Sequence, residues 1–310
     1  MTLVQAPLLT NGATHSAQTF RMMVSGLARG GEGIAEGTHL KVAPLTTPGA
    51  GVVVGEGAAV IRGKAALWQG SYSAYNIGTE TVAVSPTGAT PRSDLIVLRV
   101  TDPEYEGGLD PTKDKINTFE VIPNVSPTTT TPPAGITGIA LARIDLPART
   151  GTITAGLITD VRRVANPRRE RTLYTAYPRT PSELKKTDDK YMNWPNEARW
   201  MVQVPEWAQK AAIIVTIAGL RFEGSDVFGA MQICLGTREG EDTILDDDQT
   251  PDVRRTTAVI ADSMWVLPEF RGTTQPLFLQ TQLNPHHTGW LQVDEGTSIV
   301  CDVEFTEGPV

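Results

Sequence analysis

The chain has 310 residues, 29 of them glycine and 22 proline, and a formal net charge of −8. That length suits about two domains, each able to bury its own core, and the acidic balance excludes nucleic acid as the expected ligand, since phosphate binding needs a positive surface. No run reaches the roughly 18 apolar residues that a membrane-spanning helix needs, so no membrane insertion is expected.

The first twenty residues lack the basic start and continuous apolar stretch of a signal peptide, so synthesis in a cytoplasm and a soluble product are expected. Leu3, Val4, Leu8 and Leu9 are apolar, but Thr10-Asn11-Gly12 interrupts any regular pattern. Over 14–28, Phe20, Met23, Val24 and Leu27 fall at i, i+3, i+4 and i+7, which predicts a short helix ended by Gly30-Gly31-Glu32-Gly33. A short helix ahead of a β-domain either docks onto another surface or packs on its own sheet. Strand-length apolar runs then follow at 52–54, 58–63, 81–85 and 94–100, separated by Gly-Glu-Gly, Ile-Gly and Pro-Thr-Gly.

Residues 101–111 are polar and rich in turn formers, and read as an exposed loop or hairpin tip. Strand resumes at 117–125. The stretch 126–135 reads as an extended surface connection, because Pro127, Pro132 and Pro133 cannot donate to a ladder. Residues 136–146 are apolar again, with room for a short helix, and 150–164 close the first module.

The boundary falls at Ala165-Asn166-Pro167, giving a first module over 1–165, an arginine-rich linker over 166–172 and a second module over 173–310. Arg162, Arg163, Arg168, Arg169 and Arg171 read either as a surface for an anionic partner or as a solvated connection. In the second module, 200–204, 211–218, 230–235, 256–261, 277–283 and 298–305 are strand candidates. Such spacing suggests an antiparallel β-sandwich of jelly-roll type, and the fold class is all-β with one short N-terminal helix. Cys234 and Cys301 sit in two of these strands; they pair only if the strands are neighbours, and otherwise stay as buried thiols. Charge is uneven: residues 1–165 hold 13 Lys+Arg against 13 Asp+Glu, whereas 221–310 hold 5 against 16.

One segment carries a resemblance. The strand "AAVIRG" is followed by "QGSYSAYN", which presents Gln69, Gly70, Tyr72 and Tyr75. Next come a turn, Arg92 and Asp94 opening a long strand, and Asp102 in an acidic loop; "GIALARIDLPARTGTITAGLITDVRRV" leads out through Asp160 and Arg162. Over roughly 20–164 this order resembles the N-terminal module of tail and baseplate proteins (minor tail, receptor-binding type) from phages of actinobacterial and other Gram-positive hosts. The resemblance implies a β-rich virion component near the distal tail, assembling as a homotrimer beside other tail and baseplate proteins. It also implies a distal module that meets a host cell-surface glycan. The second module carries no such resemblance.

No HExxH, GxSxG, P-loop or GxGxxG pattern occurs, so no enzyme is expected. Of the four histidines, His15, His39, His286 and His287, the last two are adjacent; on extended chain they point to opposite faces and make a poor metal pair. Asp246, Asp247 and Asp248, with Glu239, Glu241, Asp242 and Asp252 around them, supply oxygen ligands for Ca²⁺ in one reading and a solvated acidic loop in the other; the spacing is not that of an EF-hand. Five of six tryptophans lie in the second module. Trp200 and Trp265, flanked by apolar residues, are expected in the core. Trp194 and Trp290, in loop-like sequence, are the candidates for stacking on a sugar face. Two alternatives to a tail component remain, a stand-alone carbohydrate-binding module and a polysaccharide-degrading enzyme, the latter needing two facing carboxylates about 5 to 9.5 Å apart.

Overall fold

The computed structural model describes residues 8, 10–248 and 254–310. It divides into two units: the first runs to Pro167 and takes in Gly308–Val310, and the second is Arg168–Glu307.

In the first unit, helix α1 (Ala17–Leu27) starts at Ser16, whose Oγ accepts from the Thr19 backbone N–H at 3.3 Å. This caps one of the four unpaired donors of a helix start. The strands that follow are β1 (Gly33–Ile34), β2 (Val42–Pro44), β3 (Gly51–Val54), β4 (Gly57–Arg62), β5 (Ser71–Asn76), β6 (Glu80–Ala83), β7 (Arg92–Val100), β8 (Asn117–Val125), β9 (Gly138–Leu146) and β10 (Ile158–Asp160). They form three antiparallel sheets in the orders β1-β4-β5, β2-β3-β6 and β10-β9-β7-β8.

Strand β7 explains why its sequence is a continuous apolar run. Ile96 and Leu98 face the main core with Ile34, Val52, Ile61 and Ile144, while Leu95 and Val97 face a smaller cluster with Ala140 and Val161. Both faces are covered, so alternation is lost. The expected short helix within 136–146 is instead β9, because β-branched and small residues there extend the same ladder beside β7.

In the second unit the strands are β11 (Arg169–Ala176), β12 (Ser182–Leu184), β13 (Met192–Asn193), β14 (Arg199–Gln203), β15 (Ala208–Glu223), β16 (Val227–Leu235), β17 (Arg238–Glu239), β18 (Thr243–Asp247), β19 (Arg254–Trp265), β20 (Thr274–Leu283), β21 (Trp290–Val293) and β22 (Ser298–Glu307). They form two six-stranded antiparallel sheets: one orders β11-β22-β15-β21-β12 with β19 also on β15, and the other orders β13-β20-β16-β17 with β14 on β20 and β18 on β16. The chain changes sheet between β15 and β16, between β18 and β19, and again on each side of β20. A single core of inward residues fills the space between, including Ile213, Ile217, Met231, Ile233, Leu279, Ile299 and Val303. The fold is all-β, with α1 its one α-helix among the described residues.

Two expectations are revised here. Residues 166–172 are not a bare linker, since Arg169 already pairs with Thr306 in β11 and β22. Arg168, Arg169 and Arg171 reach Glu307, Glu304 and Asp302 on the neighbouring strand, so these arginines are tied within the sheet. Arg162, by contrast, is buried in the first unit, where it forks onto Asp160 at 2.7 Å and donates to the His39 carbonyl. The two cysteines are free and buried, Cys234 on β16 and Cys301 on β22, strands of different sheets. Burial pushes the Cys234 thiol up to about 11 and the Cys301 thiol up to about 12.

Candidate functional site

Four of the residues that carry the resemblance, Gln69, Gly70, Tyr72 and Asp102, converge on one side chain, Arg21 of α1. Its Nε donates to the Gln69 carbonyl at 2.8 Å, Nη2 to Glu104 at 2.7 Å, and Nη1 lies 3.2 Å from Asp102. The guanidinium sits 5.4 Å from the ring centres of both Tyr72 and Tyr105, within the range of a cation–π contact. Tyr72 donates to Asp102 at 2.7 Å and accepts from Gln69 Nε2 at 2.9 Å, and Gln69 Oε1 accepts from the Ala65 N–H. Burial, reinforced by the Asp102 hydrogen bond, holds the Tyr72 phenol well above its ordinary pKa. Burial by itself would lower the pKa of Arg21, but the bonds to Glu104 and Tyr105 and the charge of Asp102 more than offset it.

Gly70 makes the close approach possible. Its φ is +79°, and a Cβ there would lie 2.6 Å from the carbonyl carbon of Arg21.

The helix is therefore held by a polar residue, and its apolar stripe points to solvent. Phe20 is 46% exposed and Leu27 74%, with Met22 and Met23 also exposed. The 3-10 turn Leu67–Gln69 adds Leu67 at 84% and Trp68 at 63%, and it is tied to the helix by Gln18 Nε2, which donates to the Trp68 carbonyl. An amphipathic helix normally turns its apolar side inward. Sequence periodicity found the stripe and left its direction open; the signal that sets the direction is the run of partners for Arg21.

The residues singled out for chemistry are placed differently. Trp194 is 4% exposed, packed in the second unit's core with Nε1 donating to Ser182 Oγ at 3.1 Å, so its ring is not available to a sugar. Trp290 is half-buried on β21 and covered by the Lys185 ammonium at 5.4 Å. Trp265, expected in the core, is 57% exposed at the end of β19, with Lys210 Nζ 4.4 Å from its ring centre. On that strand Met264 takes the inward position and Trp265 the outward one.

The three aspartates do not converge. Asp246 and Asp247 end β18, where the only buried residue is Leu245. Asp246 is exposed, while Asp247 pairs with Arg254 at 2.8 Å. Asp248 is exposed, and Asp252 lies outside the described residues. Among the described residues no group of three or more His, Cys, Asp or Glu side chains is placed to hold a metal ion.

His287 Nδ1 lies 2.7 Å from Asp226, whose other oxygen accepts from Ser225 Oγ at 2.7 Å. The serine is thus bound to the carboxylate and not to the imidazole, which is not the order of a nucleophile and its base. In the first unit an open cleft of about 550 Å³ is lined by Pro91, Arg92, Asn124, Pro127, Pro147 and a lone carboxylate, Asp145. Asp145 lies well below the ordinary carboxylate range because Arg143, and more weakly Ser93, bond to it.

No family model and no curated protein matches the chain. Among solved structures it is similar to the infectious bursal disease virus Gx strain, at 10% identity and TM-score 0.28 over 89% of this chain and 72% of that one. It is similar also to the VP2 subviral particle of that virus, at 10% identity and TM-score 0.28 over 90% and 74%. A third is the insecticidal delta-endotoxin Cry8Ea1 of Bacillus thuringiensis, at 9% identity and TM-score 0.25 over 90% and 54%. Overlaps of that size carry no argument about what this chain does.

Proposed function

We propose that this chain is a structural component of a phage tail tip or baseplate, a minor tail protein that assembles as a homotrimer, with its second unit directed at the host cell surface. One observation carries the reading. Gln69, Gly70, Tyr72 and Asp102, residues on which the resemblance rests, build the seat of Arg21 and so turn an apolar helix face outward. A large apolar surface on a free-standing soluble domain is a liability, whereas on an assembly component it is a contact. Antibody raised against the chain and applied to phage particles that carry it should decorate the distal tail. Decoration elsewhere on the particle, or none on intact and disrupted particles alike, would end the reading.

A second reading, a stand-alone glycan-binding module, draws on Trp265. It is an exposed ring beside a cation, on a strand that positions it rigidly. Retention of the full chain on host cells, lost in W265A, would attach glycan contact to this residue. Particle labelling then separates a free module from a tail component.

A further inference from the structure

We infer that the exposed face of α1, together with Leu67 and Trp68, is where copies of this chain meet, helix against helix around the symmetry axis. The inference rests on the assembly reading above and says which surface performs it.

The area argues first. The exposed parts of Phe20, Met23, Leu27, Leu67 and Trp68 amount to on the order of 600 Å². That is at the upper limit of the largest apolar patch on a typical monomer, about 300–600 Å², and close to the roughly 800 Å² that each partner gives to a stable interface.

Charge argues next for a second copy as the occupant. Helix α1 carries one charged side chain, Arg21, which faces inward onto Asp102 and Glu104. Its first turn has no acid and its last turn no base. A symmetric contact brings each group against its own duplicate, so any net charge on the stripe would repel itself; here there is none. A charged partner surface would instead bury ions with no counter-charge.

Spacing agrees. Phe20, Met23 and Leu27 repeat at three and four residues, the interval at which a helix seam meets another helix. The seam spans only two turns, too short to associate on its own. It is fixed in place by the Arg21 seat and widened by Leu67 and Trp68, so a rigid patch and not a peptide is what associates.

The test uses the full chain. Light scattering across a concentration series should give a mass near three times 33.4 kDa. L27E and W68E should weaken assembly by roughly 100-fold or more, with an unchanged circular dichroism spectrum and melting curve, since both side chains project into solvent. L27C, treated with a mild oxidant, should give a disulfide-linked pair on a non-reducing gel, while the buried Cys234 and Cys301 give no such species. A trimer that survives both charge substitutions, or an L27C that never links, overturns the inference and leaves the tail reading to the antibody experiment. A monomer at every concentration overturns it too, including the case where only a different tail protein covers the patch.

Discussion

Arg21 Nε donates to the backbone carbonyl of Gln69 at 2.8 Å, a bond that fixes the roll of α1 about its axis. With the remaining guanidinium nitrogens on Asp102 and Glu104, the helix has one orientation in which its cation is satisfied. In that orientation Phe20 and Leu27 face water. A planar fork with five donors is the side chain suited to such a seat. The cost of exposing the stripe is offset by not leaving a buried arginine unpaired, so polar chemistry here overrides the hydrophobic pattern.

Replacing Arg21 tests that balance. R21A leaves Asp102 and Glu104 without their cation and should cost about 3 kcal/mol, at the lower end for a broken buried pair. R21K should restore little, because an ammonium cannot fork onto two carboxylates, a carbonyl and two rings together. G70A should act in the same direction by pushing the Arg21 backbone away, through both the left-handed φ and the 2.6 Å contact. Thermal melts and limited proteolysis within 17–29 check all three. If R21A melts like the parent and its helix is no easier to cleave, the seat does not hold the helix.

How much of this was legible beforehand depends on the range of the contacts. The α1 stripe and the strand candidates at 94–100 and 298–305 are local patterns, and each became the element expected. Residues 166–172 looked like linker because a proline and three arginines in seven residues suggest solvent, yet the acidic partners of those arginines lie more than 130 residues away, on β22. Thr243–Asp247 looked like an acidic loop because a strand with one inward residue, Leu245, has almost no hydrophobic signature. Trp194 and Trp265 exchanged their expected places for a related reason. Flanking residues say little about which face of a strand is covered. Ser182 and the core decide for Trp194, and position in the alternation decides for Trp265.

The two tryptophans give a direct contrast. W194A should cost roughly 3–5 kcal/mol, the range for emptying an aromatic site in a packed core. W265A should stay within about 0.5 kcal/mol, as an exposed position with one cation–π contact to lose. Urea titration measures both, and acrylamide should quench a W194F protein more completely than a W265F protein. Equal destabilisation by the two alanine substitutions would contradict the burial described.

Asp294 makes the second unit sensitive to acid. Its carboxylate takes Arg255 Nη2 at 2.5 Å, Arg221 Nη1 at 3.0 Å and the Gly296 N–H at 2.8 Å. Arg255 also donates to the Gly219 carbonyl, where φ of +81° marks the bulge in β15. The arginine bonds, Arg255 first, hold the carboxyl far below the ordinary range. A group whose folded pKa is depressed contributes its full stabilisation above its unfolded pKa, about 3.9, and loses it as pH falls through the folded value. D294N should therefore lower stability by about 2 kcal/mol at pH 7 and by progressively less below pH 4. Melting curves of both proteins from pH 7 to pH 2 should converge, and parallel curves would assign the acid sensitivity to other carboxylates.

Cysteine labelling tests the core of the second unit. Cys301 faces inward on β22 among Val215, Val303 and Phe305, and Cys234 lies on β16 in the opposite sheet. Both thiols are buried and their pKa values are pushed up, so little thiolate exists at pH 7. Cys301 is reached only when the sandwich opens, whereas Cys234 alternates with the inward Ile233 and Leu235 and is reached when the cover on the other face of β16 lifts. Native protein should take up no aromatic disulfide reagent within minutes, and denatured protein should take up two equivalents. The rate in low urea should follow the opening equilibrium, rising as stability falls. One fast equivalent in the native state would mean that one sheet edge opens independently of the core, and zero equivalents after denaturation would mean that the two sulfurs are joined.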